Sequence, residues 1–189
     1  MLAGHFGLAA AVKAKVPEVP LWALMLSTQL IDVIFIPLYL TNVEIVVKTG
    51  EGYANQIIHA DYTHSLLSVL IIAFLTGLLA SKLWGRRGGL TIGAVVFSHW
   101  ILDLLVHRPD LPILPGNLGD LPLLGLGLWS SPIFSIAAEL VLITAGSLMY
   151  LRYAVSGTAG GARLFARCSG ALLTVLMLLC LASDVLGTG

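Results

Sequence analysis

Charge is scarce in this sequence. Only 11% of its 189 residues are Asp, Glu, Lys or Arg, against about a quarter in soluble domains, which excludes an ordinary solvated surface. The acidic and basic residues cancel and no basic tail is present, so nucleic-acid binding has no electrostatic footing. Cysteine is almost missing. Cys168 and Cys180 both fall in the last apolar run without a CxxC pair, so neither a disulfide framework nor a thiolate zinc site is expected. No internal repeat of the transporter kind is visible. A cleaved export signal is not expected either. Residues 1–16 put their apolar stretch first and Lys13 and Lys15 after it, the reverse of a signal peptide.

What fills the sequence is hydrocarbon: 58% of residues are hydrophobic and the mean hydropathy is +0.96. Apolar runs of about 20 residues are the length of a membrane-crossing helix. The expected fold class is all-α, a polytopic transmembrane bundle forming one domain over residues 1–189. It has about five spans, near residues 21–40, 65–83, 89–107, 132–151 and 168–186, with a short N-terminal helix over residues 1–16. Lys13, Lys15, Lys82, Arg86, Arg87, Arg152, Arg163 and Arg167 fall in one set of alternate connections, and only Lys48 and Arg108 in the other. The positive-inside rule then places the N-terminus in the cytoplasm and the C-terminus outside.

Against this background a few polar residues are conspicuous. Ser98-His99-Trp100-Ile101-Leu102-Asp103-Leu104-Leu105-Val106-His107 carries two imidazoles and a carboxylate inside an apolar run. His99, Asp103 and His107 recur every four residues, which stacks them on one helical face. Ionisable groups in hydrocarbon are costly and usually mark a site. Asp32 and Gln29 lie inside the first span, and Pro37 is expected to kink its outer end. His59 and His64 flank the start of the second span, where Asp61 has the character of an N-cap. By the expected topology these candidates share one depth band near the outer face. The apolar loop from Pro109 to about Ser131 is either a lid over that band or an ordinary interfacial loop. Glu139, in the fourth span, is either a partner of a site histidine or an independent packing contact. His5 is mid-membrane if residues 1–16 form a re-entrant half-helix and incidental if they form a surface amphipathic helix.

Imidazole and carboxylate ligands suit zinc, with manganese or iron as second choices. Their number allows two or more ions sharing a bridging carboxylate, an arrangement that activates water and clamps the oxygens of a phosphoester. In that chemistry Asp103 orients the metal-activated water, and His107 is a general acid or base or else a ligand. Arg108 meets an anionic headgroup or snorkels to the interface. Two other classes fit the same residues: a small transporter with an ion or proton path, and a membrane protein with an inert polar core or a bis-histidine haem.

The segment His59-Ala60-Asp61-Tyr62-Thr63-His64-Ser65 resembles the His-Arg-Gly-x-Thr-His-Ser signature of the YdjM-like family, bacterial inner-membrane proteins assigned as metal-dependent hydrolases. Ser98-His99-x-x-x-Asp103 resembles that family's second signature, and Gly4-His5 and Asp32 match its other polar positions. The likeness covers roughly residues 1–110. The family is distantly similar to the all-helical zinc-dependent phospholipase C fold. The resemblance implies His5, Asp32, His59, His64, His99 and Asp103 as metal ligands. It also implies membrane lipid as a partner, a lipid-linked or small phosphoester as substrate, and the bacterial plasma membrane as location. Two departures stand out. Ala60 replaces the family's arginine, and Gln29-Leu30-Ile31-Asp32 lacks one carboxylate of its Pro-Asp-x-Asp.

Overall fold

The computed structural model describes residues 1–50, 56–157 and 160–186. It is mostly helical: α1 (Leu2–Lys15), α2 (Leu21–Thr28), α3 (Leu30–Leu40), α4 (Leu66–Val106), α5 (Pro132–Ser156) and α6 (Gly161–Leu186), with β1 (Ile45–Lys48) and β2 (Gln56–His59) between α3 and α4. Among the described residues α4, α5 and α6 are long and apolar enough to cross a membrane, and α2 with α3 is a further candidate as one bent span.

α4 is continuous only in outline. Trp84 and Gly85 leave helical geometry, and Gly85 takes φ +69° and ψ 177°, a conformation essentially reserved for glycine. The chain folds back there. A Cβ on Gly77 would meet the Gly89 carbonyl at 3.1 Å, and one on Gly93 would meet the Ala73 carbonyl at 3.0 Å. Ala73, Gly77 and Ser81 recur every four residues, as do Gly89 and Gly93. Small side chains at that spacing let two helical arms approach closely in hydrocarbon, where lipid supplies no hydrophobic drive toward association. Val69 and Ala73 of the first arm share a core with Val96 and Trp100 of the second.

α1 is buried, not a surface helix. Ala3, Gly4, His5, Gly7, Ala9 and Ala10 are all buried, and a Cβ on Gly7 would strike the Leu142 carbonyl of α5 at 2.6 Å. At its first turn the Gly4 N–H donates to Glu139 Oε2 at 3.1 Å, so this buried carboxylate takes up one of the orphan donors of a helix start. Glu139 thus contacts the backbone next to His5. At the other end of α1, Arg87 donates to the Lys15 carbonyl and pairs with Glu18. The basic residues of the N-terminal segment and of the α4 turn therefore gather at one end of the molecule.

Three local expectations are corrected. The first span breaks at Gln29, bending by 48°, while Pro37 sits within α3. The cap of α4 is Ser65, whose hydroxyl accepts from Ser68 N–H; Asp61 instead offers its backbone carbonyl to Gly116. The connection between the first and second spans, whose residues 41–61 read as a polar external loop, contains an antiparallel pair, Ile45 opposite His59 through Lys48 opposite Gln56.

Candidate metal centre

Two triads converge in the bundle: His5, His99 and Asp103, and Asp32, His64 and His99, each with ligand atoms within 4.8 Å of one another. α1 supplies His5, α3 supplies Asp32, the turn before α4 supplies His64, and the second arm of α4 supplies His99 and Asp103. The spacing of four puts His99 Nε2 3.0 Å from Asp103 Oδ2. His64 Nε2 lies 3.4 Å from Asp32 Oδ1 and 3.8 Å from Asp103 Oδ2. His99 Nε2 lies 3.6 Å from Asp32 Oδ1, and His5 Nε2 lies 3.6 Å from Asp103 Oδ1. Ligands about 2.1 Å from a tetrahedral ion are separated by roughly 3.4 Å, so these separations suit a shared cation. The two oxygens of Asp103 face different histidines, the placement of a bridging carboxylate.

The histidines are held by their other nitrogens. His5 Nδ1–H donates to the Met1 carbonyl at 2.7 Å, and His99 Nδ1–H to the Thr28 carbonyl at 2.6 Å. A carbonyl can only accept, so the His99 tautomer leaves Nε2 with its lone pair toward the cluster, whereas the Nε2 of His5 faces a second carbonyl, that of His99, at 3.4 Å. The Thr28 carbonyl is available because the first span breaks just after it. The Thr63 hydroxyl donates to the Glu44 carboxylate at 2.9 Å, which leaves its oxygen to accept from His64 Nδ1–H at 2.9 Å. Glu44 is 1% exposed and also accepts from the Tyr62 and Thr63 backbone N–H groups. Such outer partners fix the ring and tautomer of a metal-binding histidine. Trp100 adds a clamp by donating its indole N–H to the His64 carbonyl at 2.9 Å.

His99 Nε2 carries the fit test for a cation. It is buried and makes no hydrogen bond, although Asp103 Oδ2 is only 3.0 Å away. A lone pair and a carboxylate oxygen side by side, out of donor–acceptor alignment, suit two ligands of one ion. Three imidazoles and two carboxylates with no thiolate form a donor set that could hold a metal ion. Compared with known proteins, the chain matches no family model, no curated protein and no solved structure.

Of the residues singled out from sequence, His5, Asp32, His64, His99 and Asp103 come together. His59 does not join either triad: it closes β2 with an exposed side chain, opposite Ile45. His107 also stands outside both triads. Its Nδ1 is 2.9 Å from Asp110 Oδ1, both side chains being buried, and its ring lies 4.3 Å from that of Trp129 and 6.4 Å from that of His64. Arg108 points away, toward the Thr49 hydroxyl at 3.4 Å. The loop after His107 folds back over this end: Leu126 N–H donates to the Leu104 carbonyl and Gly127 N–H to the His107 carbonyl. The sequence reading missed Glu44, Thr63 and Asp110. Thr63 adjoins His64 and Asp110 follows His107 by three, so proximity was the available signal for those two. Glu44 carried none, because a glutamate in a polar connection is ordinary.

Proposed function

We propose that this chain is a membrane-embedded, metal-dependent phosphoester hydrolase of the YdjM-like kind, with zinc as the first-choice ion and manganese or iron as the second. It crosses the bacterial plasma membrane five times, the two arms of α4 counting separately, with α1 re-entrant from the cytoplasmic side. The observation that carries the reading is the unpartnered His99 Nε2, facing Asp103 among histidines whose Nδ1 atoms are all committed elsewhere.

His5, Asp32, His64, His99 and Asp103 would hold one or two divalent ions, which when bound supply charge compensation for a phosphoryl group and acidify a water. Asp103 orients that water. His107 moves the proton. Asp110 holds Nδ1–H, so Nε2 takes a proton from water as its oxygen bonds to phosphorus, then returns it to the leaving oxygen as the P–O bond breaks. The test is elemental analysis of the detergent-purified chain beside the double variant His64→Ala/His99→Ala. Zinc or manganese bound to the parent and lost from the variant supports the reading. No metal in the parent, even after incubation with zinc, overturns it.

A further inference from the structure

Among the described residues the cluster is closed on every side but one. The side chains of His5, His64, His99 and Asp103 are at most 6% exposed, whereas that of Asp32 is 43% exposed. The far end is covered by the loop after His107, with Trp129 against the His107 ring. The β1–β2 end is tied down through Glu44 and through Asp110, whose second oxygen accepts from Ile58 N–H. α1 and the Thr28 carbonyl close the remaining approach.

The opening lies on α3, of which only Ile31 is buried. Asp32, Phe35, Ile36 and Tyr39 follow the i, i+3, i+4, i+7 pattern of one helical face. The Phe35 ring meets the His64 ring edge-on at 5.7 Å and stacks on Tyr39 at 5.6 Å. Ile36 and Tyr39 are about half exposed, as is neighbouring Val33. A carboxylate of the metal cluster thus opens onto an apolar, aromatic wall, in a helix read as lying in the bilayer. Asp32 Oδ1 faces the His64 and His99 rings, while the exposed part of its carboxylate is the polar point on this face that a headgroup can reach. A water-soluble substrate has no reason to cross that wall, but an amphiphile already lies against it.

We propose that the substrate is a membrane lipid carrying a phosphoester headgroup, which enters sideways from the bilayer across α3. Its headgroup lies at the cluster beside Asp32, where the divalent ions would offset the charge of its phosphate, and its chain runs along Phe35, Ile36 and Tyr39. This rests on the hydrolase reading and narrows its substrate class to lipids. The test is photo-crosslinking of the full chain in phosphatidylcholine nanodiscs, using phosphatidylethanolamine with a diazirine on its headgroup and mapping the label by mass spectrometry. Label is expected on residues 28–36, protected by excess phosphatidylethanolamine and not by soluble glycerophosphoethanolamine. Ile36→Trp should abolish it, and Leu172→Trp, on an exposed face of α6, should not. Label confined to residues 41–50 and 108–131, or equal protection by the soluble compound, overturns lateral entry. Metal content, measured on the same sample, separates that failure from failure of the metal centre itself.

Discussion

A histidine that binds metal through Nε2 depends on what its Nδ1 is doing. For His64 the answer is a two-step relay, through the Thr63 hydroxyl to the buried Glu44 carboxylate. Thr63→Val removes the acceptor for Nδ1–H and frees the ring to rotate, so metal affinity should fall by about 10–100-fold, read by titration against a chelator. Thr63→Ser should restore it. His107 and Asp110 make the opposite case, since neither belongs to a triad. Asp110→Asn should leave metal content unchanged and lower turnover, with an upper limit of about 10²–10⁴-fold if the dyad's whole proton-transfer contribution is lost. A loss of metal instead would make His107 a ligand. Asp32, His99 and Asp103 were legible from sequence because an ionisable group inside an apolar run is an anomaly, whereas Glu44 sits in a polar connection and Asp110 between two prolines of a loop, where a carboxylate is ordinary. His59 is the converse case: it was counted as the first residue of a signature, and at the end of β2 its side chain is exposed.

Among the elements, apolar runs announced α5, α6 and both arms of α4, because span length follows from bilayer thickness alone. The fold-back in α4 was legible too, from the basic residues Lys82, Arg86 and Arg87 between two apolar runs. α1 was not. Its Ala- and Gly-rich sequence has no marked apolar face, and its burial depends on a partner 135 residues away. Gly146 illustrates that dependence, since a Cβ there would collide with the Gly7 backbone. Gly146→Val should push α1 off α5, withdraw His5 and weaken metal binding, while the Asp32–His64–His99 triad persists. Metal stoichiometry of the purified variant checks this. Gly85 tests the fold-back: nothing crowds it, so Gly85→Ala should cost stability through conformation alone, on the order of 1–3 kcal/mol, seen as a lower melting temperature in detergent.

At the scale of the molecule, polar chemistry occupies one end and basic charge the other. The hairpin strands, the loop after His107 and the site's supporting carboxylates lie at the first end, and Lys13, Lys15 and Arg87 at the second. If five spans separate them, a cysteine at Asn42 in a cysteine-free background should react with an impermeant maleimide in intact cells, and one at Arg86 only after lysis. Labelling of both from the same side would remove the five-span topology. The site is tied to the first span through the break after Thr28. In an unbroken helix the Thr28 carbonyl would accept from the backbone four residues on, at Asp32; here it holds His99. Straightness of the first span and orientation of His99 therefore compete for one oxygen. Whatever unbends that span, whether a thicker bilayer or a lateral push from a neighbouring helix, releases the imidazole. By the same linkage, an ion seated on His99 stiffens the bend, and the angle between α2 and α3 becomes a gauge of occupancy.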